Sequence, residues 1–564
     1  MGGMNAWGPE PLPDGTTRFR LWAPGTPQVV LDCDDTHLPM TPQDDGWHIA
    51  DHSAPPGTRY RFHIGDTPVP DPASRRQHGG VHGWSIVPDH SHDWRVPEWR
   101  GRPWHEVVIM ELHAGTLGGF SGVTQRLPVM AALGVTAIQL MPINAFAGDR
   151  GWGYDGVLPY AVHEAYGSPA ELRALIDAAH ELGLSVFLDV VYNHFGPDGN
   201  YLGLYADRFF HRDVATPWGG AVAVDEEPVA RFFIDNALMW LRDYRFDGLR
   251  FDAVHAIDNP SFLDAMAAEI RAALPNRHVH LVLENEHNDA DRLHAAAYDA
   301  QWNDDFHNVM HVLLTGETSA YYADFADRPA ERLARALSQG FIYQGDPSPN
   351  QDGRPRGTPS GHLPPTRLVN FLQNHDQVGN RAMGERLTLL ADPAKLRAAT
   401  ALMLLAPNIP LLFMGEEEGS ESPFFFFTDF HDDLADAVRE GRRREFAKFP
   451  AFADPAARER IPDPNAPETF ESSRPQPGPA APGWTALYHQ LLTVRRERIV
   501  PQLHDVRSLG AEATGDAAVT ARWQLADGTI LTMAIDLADH PAPLPTIAGQ
   551  IFTIDGRFIA GIAR

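Results

Sequence analysis

"GLRFDAVHAI", residues 248–257, places a cation and an anion, Arg250 and Asp252, two positions apart in an otherwise apolar run. Along a β-strand, residues i and i+2 project to one face. Both charges therefore share a side, and Leu249, Phe251 and Ala253 form the opposite, packing side. Charges on an enclosed strand are expensive unless paired, so the charged face is expected to line a working site.

The surrounding chain repeats this texture. Apolar runs of strand length are "VVIMELH", "AIQLMPI", "SVFLDVV", "GLRFDAV", "HLVLENE", "AQWNDDF", "LVNFLQNHD" and "IPLLFMG". Amphipathic helical segments separate them. In "SPAELRALIDAAHELG" Ser168 is the N-cap, Pro169 the first helical residue, Glu171 closes a capping box, and Gly183 follows the end. Eight strands alternating with helices predict an α/β fold, a (β/α)8 TIM barrel with a parallel sheet buried on both faces.

Alternating runs such as "TRFRLWAP" and "TRYRFHI" predict an N-terminal β-sandwich of immunoglobulin-like type over 1–95. The barrel is expected over 96–480, with a Gly- and Asp-rich insert at about 195–227, and a C-terminal β-sandwich over 481–564. The chain has 564 residues, enough for several domains. Its net charge of −28 argues against nucleic acid and anionic membranes as partners and suits a neutral substrate. Cys33 is the only cysteine, which excludes an internal disulfide framework. The start of the chain shows neither a basic region nor an apolar core of a secretory signal, and no apolar run is long enough to span a bilayer, so a cytoplasmic protein is expected.

Polar residues gather at strand ends, the functional rim of such a barrel. They are Asp189, Asn193 and His194 in "DVVYNH", Arg250 and Asp252, Glu284 in "LVLENE", and His375 and Asp376 in "LQNHDQ". These four segments, in this order, resemble four sequence regions of the α-amylase family, glycoside hydrolase family 13, over about 107–450. The resemblance implies that Asp252 is a nucleophile, Glu284 a general acid/base, and Asp376 a third carboxylate that holds and distorts the sugar. It further implies sugar contacts from Tyr154 and Asp155 in "GWGYDG" and from Asn193, His194, Arg250 and His375. Glycoside cleavage with retention needs one ionised carboxylate to attack and one protonated carboxyl to release the leaving oxygen. Arg250, beside Asp252, is expected to keep the nucleophile anionic.

"QWNDDFHN", "NHDQVGNR", "LLFMGEEEG" and "PFFFFTDFHDDLADAVREGRRREF" resemble members of that family that release trehalose from a maltooligosaccharide ending in an α,α-1,1 linkage. That implies maltooligosyltrehalose as substrate, trehalose and maltooligosaccharides as products, and functional pairing with maltooligosyltrehalose synthase. Gln377, Glu417 and Trp218 are the candidates for further sugar contacts. "PFFFF" reads as core, and Trp152 as packing. No metal and no cofactor is expected. A branching or debranching enzyme of the same family and a catalytically silent glucan-binding protein are the alternatives; the complete set of Asp252, Glu284 and Asp376 disfavours the second.

Overall fold

The computed structural model describes residues 7–216, 219–257 and 259–564. Its centre is a closed barrel of eight parallel strands: β1 (Ile109–Leu112), β2 (Ala137–Leu140), β3 (Ser185–Val190), β4 (Gly248–Phe251), β5 (His280–Leu283), β6 (Ala300–Trp302), β7 (Leu368–Asn370) and β8 (Ile409–Phe413). Each lies within one of the eight expected runs, and β8 closes on β1 with Ile109 opposite Leu411. The short β6 is recognisable in sequence mainly by its neighbours. Its residues, Ala300, Gln301 and Trp302, are nevertheless all buried.

The barrel interior changes character along its axis. An apolar cluster that includes Ile109, Ala137, Phe187, Val282, Val369 and Ile409 fills the amino-terminal half, and Trp104 packs against it. Gly248, the first residue of the charged strand, makes room for this plug: a Cβ there would lie 2.7 Å from the Phe187 ring. Two residues further along the first four strands, the inward positions become Glu111, Gln139, Asp189 and Arg250, all buried.

The helices form as their sequences dictate. In α1 (Pro169–Glu181) the Ser168 hydroxyl accepts from the Glu171 amide, and Glu171 accepts from the Ser168 amide at 2.7 Å. Later in the chain, α2 (Asp304–Thr315) starts two residues beyond β6, and α3 (Pro329–Gln339) follows it. The short α4 (His375–Gly379) follows β7, and α5 (Pro393–Leu405) precedes β8.

Two antiparallel sheets precede the barrel, as the alternating N-terminal runs suggested. Trp7 joins them to the barrel, edge-on to Trp47 at 4.8 Å and to Phe232 of the barrel layer at 4.9 Å. The C-terminal domain is all-sheet, with β9 (Arg507–Gly515), β10 (Ala518–Gln524), β11 (Ile530–Asp536), β12 (Gln550–Ile554) and β13 (Phe558–Ala563) in the order β9-β10-β11-β13-β12. Among the described residues it is one sheet, not the expected two-sheet sandwich. The covering layer comes from the barrel: α3 lies along β9 and β10, and α5 contacts β11 and β13. The apolar face of α3, with Leu333, Ala334 and Leu337 buried, does what a second sheet would do. Among the described residues, no helix is long and apolar enough to cross a membrane.

Candidate active site

Arg250 is fully buried and organises the carboxyl-terminal rim. Parallel pairing sets it directly opposite Asp189 on β3. Its Nη1 donates to the two Asp189 oxygens at 2.8 and 2.7 Å and to Asp252 Oδ1 at 2.8 Å. Nη2 lies 3.2 Å from Glu284 Oε2 on the next strand. The guanidinium lies 4.1 Å from the Trp302 ring of β6, which fixes its plane. One cation thus gathers carboxylates from three consecutive strands.

A second cation faces it. The Nδ1–H of His375 donates to Glu111 Oε1 at 2.7 Å, and its backbone amide donates to Glu111 Oε2 at 2.9 Å. Nε2 lies 3.5 Å from Asp376 Oδ1. Burial alone would lower the imidazole, but Asp376 and Glu111 outweigh it and hold it up at about 9. The Tyr154 ring stacks on His375 at 5.0 Å and donates its hydroxyl to Asp189 at 2.6 Å, which links the two cationic centres. Trp152 stands edge-on to His375 at 5.4 Å and stacks on Phe424. Phe424 and Phe427 are core residues, in keeping with the packing reading of "PFFFF" and Trp152.

Asp252 and Glu284 extend the ladders of their strands: the Asp252 amide donates to Val190 at 3.0 Å and the Glu284 amide to Phe251 at 3.0 Å. Ala253 then departs from the strand with φ of 40°, a left-handed conformation that costs an alanine about 1–2 kcal/mol. The turn aims its amide at Glu284 Oε2, 2.6 Å away. Ala253 is therefore not a packing residue of the strand; its backbone anchors the carboxyl on β5.

The charge balance corrects one expectation. Arg250 does not serve Asp252 alone, because Asp189 and Glu284 share it. Burial pushes the Asp252 carboxyl upward; Arg250 is the largest opposing influence, and Glu284, Asp189 and Asp376 add to the rise. Burial likewise raises Asp189 to about 6 against Arg250 and Tyr154. Asp376 is raised by burial, opposed by His375. Burial thus raises Asp189, Asp252 and Asp376 against the pull of the two cations.

The remaining candidates divide. His194 lies near the site and donates from Nε2 to the Tyr154 carbonyl at 2.8 Å. Burial lowers it to about 4, so it is a neutral support for Tyr154. Asn193 is buried beside it, with Oδ1 unpaired among the described residues. Asp155 sits next to Tyr154, but both its carboxyl oxygens are enclosed and unpaired, and burial raises it to about 7. None of the clustered carboxyls is among the groups that act on it. Gln377 serves α4 with one end: its Oε1 accepts from the Asn374 amide in a capping box. Glu417 turns back to accept from the Gly415 amide at 2.9 Å, with Arg386 and Glu418 among the charges that act on it. Trp218 lies outside the described residues.

Two participants were not singled out in the sequence, Glu111 and Trp302. Glu111 is a lone carboxylate inside an apolar strand, the same signal that drew attention to Arg250. Trp302 carries no such signal, because a buried tryptophan in a strand looks like any core residue.

A family model described as the alpha amylase catalytic domain matches residues 88–208, and one described as DUF3459, a domain of unknown function, matches 506–556. Curated malto-oligosyltrehalose trehalohydrolases are similar along most of the chain. That of Deinococcus radiodurans is 42% identical, covering 88% of this chain and 84% of its own. That of a Rhizobium species is 38% identical, covering 94% and 92%. The crystal structure of a candidate alpha amylase from Salmonella typhimurium superposes with a TM-score of 0.94 at 44% identity, covering 99% of this chain and all of its own.

Proposed function

Because the chain belongs to the malto-oligosyltrehalose trehalohydrolases of the α-amylase family, we propose that it hydrolyses the α-1,4 bond next to the terminal trehalose of maltooligosyltrehalose by double displacement. Trehalose and a shortened maltooligosaccharide are the products. The observation that carries the mechanism is the single guanidinium that holds Asp252 on Nη1 and Glu284 on Nη2. Retaining enzymes hold their two carboxyls about 5–5.5 Å apart, without the room an inverting pair leaves for water, and two carboxyls held by one guanidinium support that reading.

Asp252 attacks the anomeric carbon. The 2.8 Å donor from Arg250 favours its ionised form against the rise that burial imposes. Glu284 delivers a proton to the departing oxygen. Its Oε2 is already occupied by the Ala253 amide and Arg250, so the transferable proton belongs on Oε1. The leaving unit departs as trehalose, and Glu284 then draws a proton from water, which opens the glycosyl ester on Asp252. His375, held as a cation, and Asp376 grip the hydroxyls of the attacked ring, and Tyr154 stacks against its face.

A cytoplasmic location and a functional pairing with the synthase that makes maltooligosyltrehalose complete the proposal; both rest on the nature of the substrate. The test is product identification after separate incubation with maltooligosyltrehalose and glycogen. Free trehalose from the first is expected. New α-1,6 branches or released side chains from glycogen, without trehalose from the first substrate, would establish a branching or debranching enzyme instead.

A further inference from the structure

Asp304, the first residue of α2, is absent from every role assigned so far. We propose that it is a specificity-determining residue that hydrogen-bonds the hydroxyls of the departing trehalose, placed between the strands that carry Glu284 and Asp376. The inference deepens the proposed function and rests on it.

Topology places it there. β6 lies between β5 and β7 in the barrel, with Leu283 opposite Gln301 and Trp302 opposite Val369. Asp304 therefore emerges on the rim between Glu284 and Asp376, and those two carboxyls are among the groups that act on it. The rigid neighbour is Trp302, pinned under Arg250. Asn303 caps α2 through its side chain, which accepts from the Phe306 amide and receives no help from Asp304.

The adjacent carboxylate supplies the contrast. Asp305 is fully buried and accepts from the Ile342 amide at 2.8 Å, the Tyr343 amide at 3.0 Å and Asn288 at 3.0 Å, with Arg356 at 3.1 Å. It fastens the segment between β6 and β7. Asp304 is half-buried, and among the described residues its carboxyl makes no side-chain hydrogen bond or ion pair. A polar group so placed next to a reaction centre calls for a ligand partner. Burial, with Glu284 the next cause, raises it to about 8, so near neutral pH it can both donate to and accept from a sugar hydroxyl.

The side of the cleft identifies the ligand. Tyr154, His375, Asp189 and Arg250 surround the sugar that Asp252 attacks. Glu284 must stand at the leaving oxygen, so the unit beyond it meets the β5–β6 rim.

The test compares maltotriosyltrehalose with α-maltotriosyl fluoride, whose leaving group carries no sugar, in the wild type, Asp304→Ala and Asp304→Asn. The ratio of kcat/KM for the two substrates is expected to fall about ten- to hundredfold in Asp304→Ala, and less in Asp304→Asn, which keeps a hydrogen-bonding group. The inhibition constant of free trehalose against the fluoride should rise in the same order. Circular dichroism and thermal melts check folding, and Asp304→Asn keeps the comparison valid should the alanine variant unfold. A ratio unchanged in both variants, or equal losses on both substrates, overturns the proposal. Failure of the wild type to release trehalose breaks the underlying reading instead, and the two failures are distinct.

Discussion

The same eight strands build two unlike halves of one barrel. Below, Ile109, Ala137, Phe187, Val282 and Val369 close into an apolar plug. Above, two residues along, Glu111, Asp189 and Arg250 point into the same interior, buried to within about 1% of full exclusion. The plug holds the strands in register. That register then sets Asp189 against Arg250 and Arg250 against the strand of Glu284. Buried charges are tolerated above because they are paired and because the scaffold below is not required to yield. Stability and chemistry are thus separated along the strand axis by a step of two residues, and substitutions at the two ends should fail in different ways.

The largest effect is expected at the top. Asp252→Ala should lower turnover by several orders of magnitude, and Glu284→Gln by about 10²–10⁴-fold on the natural substrate, with thermal melts close to wild type. Near-normal kcat in either variant would remove the assigned role. At the bottom, Phe187→Ala should reverse the pattern: about 3–5 kcal/mol less stability by denaturant titration, with kcat per folded molecule largely retained. If Phe187→Ala lost turnover in proportion to stability, the two halves would not be separable.

Next comes the pH dependence of the upper half. His375 is held at about 9 in the folded protein, above its unfolded value near 6.5. The folded state therefore binds the proton more tightly. The stability this contributes is fully present below about pH 6.5 and is lost as pH rises through 9. Glu111→Gln removes one of the two anions responsible, so its melting temperature should decline less over pH 6.5–9, from a lower starting point. Parallel curves for wild type and variant would show that Glu111 does not hold the cation.

The smallest effect is expected at Gln377, whose side chain belongs to the capping box of α4. Gln377→Ala should cost about 1 kcal/mol or less, read as a small fall in melting temperature. A KM change out of proportion to that fall would return Gln377 to the sugar.

Legibility in the sequence followed the same division. Seven of the eight strands could be found because a parallel barrel buries both faces and leaves continuous apolar runs, whereas β6 was placed mainly by its neighbours. The carboxyls that gather on Arg250 could be found because a charge in such a run is conspicuous. Sharing was harder to see: one sequence places Arg250 beside Asp252, but only the register brings Asp189 and Glu284 to the same guanidinium. Gln377 and Glu417 looked like sugar contacts because they follow strand ends. One oxygen of each is taken by a local amide, a competition that residue type does not reveal. The C-terminal sheet likewise showed alternation without showing that helices would cover it.

The central claim is attack by Asp252 with retention at the bond beside trehalose. Proton NMR of maltotriosyltrehalose during the first minutes of reaction tests it most directly. The prediction is free trehalose together with maltotriose whose new reducing end appears first as the α anomer and only later equilibrates. A β anomer appearing first would contradict the account.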